Sequence, residues 1–316
     1  MNRQQLSRVA AFALLTMALL VAALVASSRL RYDRYTLLQG LTRNYVEVGG
    51  QFQTLRRFRE ADARGHVDMV FLGASHTYRG FDPRLFRHTS MNLGSTNQTP
   101  LNGYYIAMRY LPALSPRLVV LEVGYNTLTT DGLESCRDLL VNTPSSWPID
   151  RMAVATWNLG AMGFAMAKSL GLTPNESEAQ QREVAGETYV AGGYCETVGN
   201  RDALMTGGPI FFEIKPRQLD YLGEISDLVR ARGADVLWVT LPVSRDYMRR
   251  IANRDELKRR IDHAASRAGV DYWDYSESLE LDPLADFKDV LHLNAEGVAK
   301  FNRAFIDRLE ASTHLR

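Results

Sequence analysis

Short apolar runs alternate with helical patterns along this chain from residue 67 onward. Asp68-Met-Val-Phe-Leu-Gly73, Ser90-Met-Asn-Leu-Gly94 and Leu118-Val-Val-Leu-Glu-Val-Gly124 read as buried strands, each running into a glycine. Asp235-Val-Leu-Trp-Val-Thr240 and Val270-Asp-Tyr-Trp-Asp274 read as two more. Helical patterns fall near 101–110, 212–232, 254–268 and 295–311. Strands alternating with helices predict βαβ units, hence an α/β fold with a parallel sheet of about five strands covered on both faces. In such sheets reactive groups gather beyond the carboxyl ends of the strands.

Two stretches break this rhythm. Arg3 and Arg8 lie in an acid-free start, and residues 9–28 carry no charge. About 20 apolar residues at roughly 1.5 Å each span a bilayer's hydrocarbon, so residues 1–31 read as an N-terminal transmembrane anchor. A cleaved signal peptide is the other reading, given the Ala-rich stretch at 22–27; the length of the apolar run favours the anchor. Residues 32–66, with Gly49 and Gly50, read as a juxtamembrane stalk or helix before a domain at 67–316. The second break, about 127–209, holds Trp147, Trp157, an Ala/Met-rich run at 161–167, an Asn175-Glu-Ser-Glu segment and both cysteines. A structureless loop of that length is improbable, so it reads as an inserted, mostly helical subdomain.

Which side of a membrane the domain faces is contested within the sequence. Arg29, Arg31 and Arg34 after the apolar run favour a cytoplasmic domain by flanking charge. Cys136 and Cys195 lie in one insertion and could form a disulfide in an oxidising compartment; two unrelated buried thiols are the alternative. The preferred reading is an outward-facing domain. A net charge of +1 gives no excess of basic residues for a polyanion surface, which argues against nucleic acid as a partner. No metal is expected, since His66, His88, His263 and His314 lack ligand spacing. No cofactor is expected either, because Gly73, Gly80 and Gly94 are too far apart for a phosphate loop.

Chemistry concentrates in two places. In Phe71-Leu-Gly73-Ala-Ser75-His-Thr an apolar strand runs into a serine, and a strand-to-helix turn there would present the hydroxyl and free backbone N–H groups at the catalytic face. In Asp289-Val-Leu-His292-Leu-Asn-Ala-Glu-Gly297, just before the last helix, an acid and an imidazole stand three apart. A serine hydroxyl needs a base, and the base needs a carboxylate to hold its tautomer. Each signal alone also fits an ordinary turn or cap. His76, Tyr78, Arg79 and Tyr125 are candidate substrate contacts, with a loop histidine, a surface charge and packing aromatics as the plain alternatives.

Taken in order, Gly-x-Ser75 after the first strand, Asn92-Leu-Gly94 after the second, Gly124-Tyr-Asn126 after the third and Asp289-x-x-His292 before the last helix resemble the four blocks of the SGNH/GDSL hydrolase superfamily. The resemblance covers about 67–309 apart from the insertion and implies a three-layer flavodoxin-like fold. It further implies Ser75 as nucleophile, His292 as base and Asp289 as its orienting acid. The oxyanion hole would comprise the N–H groups of Ser75 and Gly94 and the Asn126 side chain. The family's Gly-Asp-Ser is Gly-Ala-Ser here, and its Gly-x-Asn-Asp is Gly-Tyr-Asn126-Thr127. Both departures, and the phrase Gly-Ala-Ser-His-Thr-Tyr-Arg-Gly-Phe-Asp-Pro83, look like membrane-anchored polysaccharide O-acetyltransferases of the alginate and cell-wall kind. That likeness implies a single-pass protein of a bacterial inner membrane with its domain in the periplasm. Its partners would be a polysaccharide acceptor and a membrane-bound O-acyltransferase as acyl donor. Esterase or deacetylase activity on the same fold, or a non-catalytic glycan-binding scaffold, are the alternatives.

Overall fold

Alternate residues of the central strands feed two different cores, which makes the sheet the middle of three layers. The computed structural model describes residues 3–32, 35–36, 52–173, 186–200 and 207–315. The five expected strands are present as β1 (Met69–Leu72), β2 (Ser90–Asn92), β3 (Leu118–Glu122), β6 (Asp235–Thr240) and β7 (Asp271–Asp274). They form one all-parallel sheet in the order β2-β1-β3-β6-β7. A separate antiparallel hairpin, β4 (Glu187–Val190) and β5 (Tyr194–Thr197), precedes β6 in the chain. Val70, Leu72, Val119, Leu121, Val236 and Trp238 face one core. Met69, Phe71, Leu118, Val120, Leu237 and Val239 face the other.

The helices, in chain order, are α1 (Arg3–Arg29), α2 (Phe52–Ala63), α3 (Ser75–Gly80), α4 (Pro100–Leu114), α5 (Tyr125–Thr129), α6 (Leu133–Asn142), α7 (Trp147–Ala155) and α8 (Leu159–Ser169). After the hairpin come α9 (Pro216–Arg230), α10 (Arg245–Arg250), α11 (Arg254–Ala268) and α12 (Ala295–Ala311). Helix α4 starts where its sequence says it should: Thr99 and Asn102 form a reciprocal capping box, and Pro100 occupies the first turn. Its apolar face joins Ile225 of α9 and Ile261 of α11 on the larger core. On the other side of the sheet Phe301 and Phe305 of α12 pack with Phe71 and Phe81, whose rings stack 4.2 Å apart.

Helix α1 is the one helix among the described residues long and apolar enough to cross a membrane, with 27 residues and a mean hydropathy of 2.7 over its most apolar stretch. At 1.5 Å per residue it is about 40 Å long. Two boundaries drawn from the sequence need correction. Residues 33–34 and 37–51, Gly49 and Gly50 included, lie outside the described residues, but α2 is no free stalk. Its Leu55, Arg57, Phe58 and Ala61 are buried, and Phe58 packs on Tyr110 of α4 with ring centroids 5.3 Å apart. The described part of the 127–209 region holds α6, α7 and α8 and then the β4–β5 hairpin, and its helices share the core of the sheet. Leu139, Ile149, Met152 and Phe164 belong to the same cluster as Leu121 and Trp238. The Asn175-Glu-Ser-Glu segment lies outside the described residues. Because α6, α7 and α8 alone cannot bury their apolar stripes, they complete the large core instead.

Helix α2 therefore carries folding stability. Phe58→Ala should lower the unfolding free energy by about 3–5 kcal/mol, read from the urea midpoint. Leu159→Ala, at a side chain 83% exposed, should stay within about 0.5 kcal/mol.

Candidate active site

The carboxyl ends of β1, β2, β3 and β6 lie at one edge of the sheet, because all are parallel and in register: Leu72 pairs with Leu121, and Glu122 with Val239. Ser75 opens α3 directly after β1. The chain turns there through Gly73, whose φ of +155° and close neighbours leave no room for a side chain. A Cβ on Gly73 would fall 2.5 Å from the Glu122 Cβ and 2.3 Å from the Thr77 hydroxyl.

Ser75 Oγ stands 2.7 Å from His292 Nε2. On the far side of the ring, Nδ1 is 2.8 Å from Asp289 Oδ2 and 3.0 Å from Oδ1. An ionised carboxylate only accepts, so Nδ1 carries the proton and Nε2 offers its lone pair to the serine O–H. Burial alone would raise the Asp289 carboxyl. The His292 side chain and the backbone N–H groups of Leu291 and His292 outweigh that and hold it well below the usual carboxylate range. The turn carrying both residues closes on itself: Lys288 N–H donates to His292 O at 2.8 Å, and Asn294 N–H to Asp286 O at 3.1 Å. Asn294 then caps α12 by accepting from Gly297 N–H.

Gly94 follows β2 and lies against the nucleophile turn; a Cβ there would meet Gly73 O at 2.9 Å and Ala74 O at 3.2 Å. The peptides around it are pinned. Gln98 Nε2 donates to Leu93 O, Ser95 N–H donates to Gly73 O, and Arg57 Nη1 donates to Gly94 O. Asn126 follows β3 on α5 and accepts a hydrogen bond on Oδ1 from the Tyr247 hydroxyl. Asn126, His76, Glu122, Tyr247, Met248 and Leu291 line a cavity of about 30 Å³ at this end of the sheet. Preorganised donors of this kind are the usual means of stabilising a tetrahedral oxyanion, at about 3 kcal/mol each.

The remaining candidates divide. His76 lies in the site: its ring is 5.0 Å from that of His292, centroid to centroid, and its Nδ1 is 3.9 Å from Glu122 Oε1. Burial first, then the charges of His292 and Arg79, push it down to about 3, so it is a neutral imidazole at ordinary pH. Arg79 Nη1 lies 3.4 Å from His292 Nε2, and its other arm is ion-paired with Glu187 of the hairpin. Tyr78 is not a substrate contact but a buried support, with Arg57 4.1 Å above its ring. Tyr125 is largely buried, its hydroxyl engaged by Ser276, and it lines the same cavity as Asn126 and His76. The cysteines are two separate buried thiols rather than a disulfide. Cys195 accepts from Arg57 Nη2 at 3.3 Å, while Cys136 sits in the large core beside Thr156, where burial pushes its thiol up to about 12. Among the described residues no cluster of His, Cys, Asp or Glu could hold a metal ion.

Glu122 is the site residue that pattern reading passed over. It ends the apolar run of β3, is fully buried, and accepts the Ala74 N–H at 2.8 Å, holding the peptide just before the nucleophile. Burial raises its carboxyl to about 7 despite that hydrogen bond. The signal was present in the sequence: a carboxylate at the end of an otherwise apolar strand needs a partner.

No protein-family model matches the chain, and no curated protein does. Solved structures give distant likenesses. A Bacteroides fragilis protein assigned as an acylhydrolase is 16% identical with a TM-score of 0.41, over 81% of this chain and 97% of that one. A GDSL-like lipase from Bacteroides thetaiotaomicron is 15% identical with a TM-score of 0.42, over 82% and 100%. A Streptococcus pneumonia protein assigned as a platelet activating factor is 13% identical with a TM-score of 0.44, over 86% and 96%. Likeness at this level carries no argument about chemistry, which rests on the side chains themselves.

Glu122 should leave a mark on the pH dependence of stability. Its folded-state value is raised from 4.5 to about 7, so the stability it contributes is fully present below about 4.5 and is lost as pH rises through about 7. A shift of that size corresponds to about 3 kcal/mol. Glu122→Gln, which cannot ionise, should lose less stability than the native chain between pH 5 and pH 8. Equal losses in urea titrations at the two pH values would contradict the assignment.

Proposed function

We propose that the chain is a serine acyl-transfer enzyme of the SGNH type that moves an acyl group, acetyl by preference, onto hydroxyls of an exported or cell-surface polysaccharide. The observation that carries this reading is the unbroken Ser75–His292–Asp289 hydrogen-bond chain, 2.7 Å and 2.8 Å long, at the carboxyl edge of a parallel sheet. In the first half-reaction Ser75 Oγ attacks the acyl carbonyl while His292 Nε2 takes the serine proton. The tetrahedral oxyanion is received by the N–H groups of Ser75 and Gly94 and by the Asn126 amide. Its collapse breaks the bond to the leaving group, which leaves with the proton from His292, and acyl-Ser75 remains. In the second half an acceptor hydroxyl attacks that ester, His292 takes its proton, and Ser75 departs protonated.

Water and a sugar hydroxyl use the same machinery, so the choice between esterase and transferase lies in what occupies the acceptor position. His76, neutral and facing the shared cavity, suits a hydroxyl because imidazole offers one donor and one acceptor. The apolar α1 supports a single-pass anchor; the resemblance to membrane-anchored O-acetyltransferases, and not the helix, carries the placement in a bacterial inner membrane with the domain in the periplasm. That placement excludes soluble acyl-CoA as donor and calls for a membrane-bound O-acyltransferase to pass the acyl group across.

The test begins with acetate release from p-nitrophenyl acetate by the protein from residue 32 onward. Ser75→Ala and His292→Ala should each lower kcat by about 10³-fold or more. Equal background rates in all three proteins would point instead to a partner-dependent transferase or a glycan-binding scaffold. Adding a glycan acceptor should then divert acetyl from water to sugar; free acetate as the sole product, with and without acceptor, would make the protein an esterase.

A further inference from the structure

Asn126 can stabilise an oxyanion only if its amide nitrogen, and not its oxygen, faces the reacting carbonyl. Rotation of the amide by half a turn would present a lone pair to a developing negative charge. One hydrogen bond in the structure favours this orientation, because the flipped amide would leave the Tyr247 proton without that acceptor. Tyr247 Oη is 2.6 Å from Asn126 Oδ1, and the tyrosine's single proton is given to that oxygen. With Oδ1 so occupied, the Nδ2 hydrogens point the other way.

Tyr247 is itself rigidly placed. It is buried and lines the same cavity as Asn126 and His76. It lies on α10, whose Ser244 side chain accepts the Tyr247 N–H at 3.3 Å. The Ser244 N–H donates to Val290 O at 3.1 Å, inside the Asp289–His292 turn. Behind α10, Ile210 N–H donates to Arg250 O and Ala252 N–H to Ile210 O, at 2.7 and 2.8 Å. One short helix thus holds the Asn126 amide with its side chain and the base's turn with its backbone.

We infer that Tyr247 is a positioning residue that orients the Asn126 amide as an oxyanion donor. This role rests on the acyl-transfer reading above, and a double-mutant cycle separates the two. Wild type, Tyr247→Phe, Asn126→Ala and the double variant are compared for kcat and KM on p-nitrophenyl acetate, per active site counted by fluorophosphonate labelling, with Tm recorded for each. Tyr247→Phe removes one hydroxyl and keeps the ring that fills the cavity wall. It should lower kcat about 10-fold with KM within about twofold, and Asn126→Ala should lower kcat about 100-fold. The double variant should be no slower than Asn126→Ala alone, because an amide that is gone needs no orienting. A Tyr247→Phe enzyme as fast as wild type would overturn the role. So would an equal penalty from Tyr247→Phe in both backgrounds, the mark of a structural contribution that does not pass through Asn126. A wild type no faster than Ser75→Ala would instead remove the acyl-transfer reading, and this role with it.

Discussion

A guanidinium cannot be buried without partners for its N–H groups, and Arg57, with 0% of its surface exposed, is buried among three separate segments of this chain. It reaches from α2 to Gly94 O after β2, to Gly193 O at the hairpin turn and to Cys195 on β5, while its planar face lies on Tyr78 of α3. Tyr78 in turn is one of the walls that leave Gly94 no room for a side chain. The charge therefore fixes the relative positions of α2, the second-strand loop, the hairpin and α3 at once. Breaking any of these hydrogen bonds leaves a buried guanidinium N–H without an acceptor, so the segments depend on one another.

The sheet supplies the other half of the organisation. Parallel strands present their carboxyl ends on one side, and the turns leaving β1, β2, β3 and β6 bring Ser75, Gly94, Asn126 and Tyr247 there. Glu122 is the internal brace. By accepting the Ala74 N–H it turns the peptide before the nucleophile toward the interior, and its bulk is what Gly73 must accommodate. A buried acid with its carboxyl raised to about 7 costs stability whenever it is ionised. Such a residue is the kind of local conflict that active sites retain.

Much of this was legible in the sequence. All five strands and four long helices stood out because apolar periodicity is strong where both faces of a sheet are covered, and the terminal helix matched 295–311 in full. Ser75, His292 and Asp289 were legible because their chemistry demands those residue types at element ends. What escaped was long-range. Nothing near Arg57 in the sequence says that its partners are Gly94, Gly193 and Cys195, so α2 read as a stalk or a helix leading into the domain and not as part of its core. Tyr78 read as a substrate contact because local sequence does not reveal which face of a short turn is covered. The disulfide reading failed for the same reason: shared membership of an insertion says nothing about which neighbours two thiols meet. Tyr247 lay on a six-residue helix between two stronger signals, with no periodicity to announce it.

The distribution of the triad along the chain has a consequence for timing. Asp289 and His292 share one self-closed turn, but Ser75 lies 217 residues earlier than its base. During synthesis Ser75, its glycine turns and the Asn126 loop all emerge well before the His292 imidazole. Contacts of such sequence separation form late, after the loop between them has been ordered. The Ser75–His292 contact is therefore complete only once the turn before α12 has docked against the sheet. Any form of the chain without that turn leaves Ser75 without this hydrogen-bond partner.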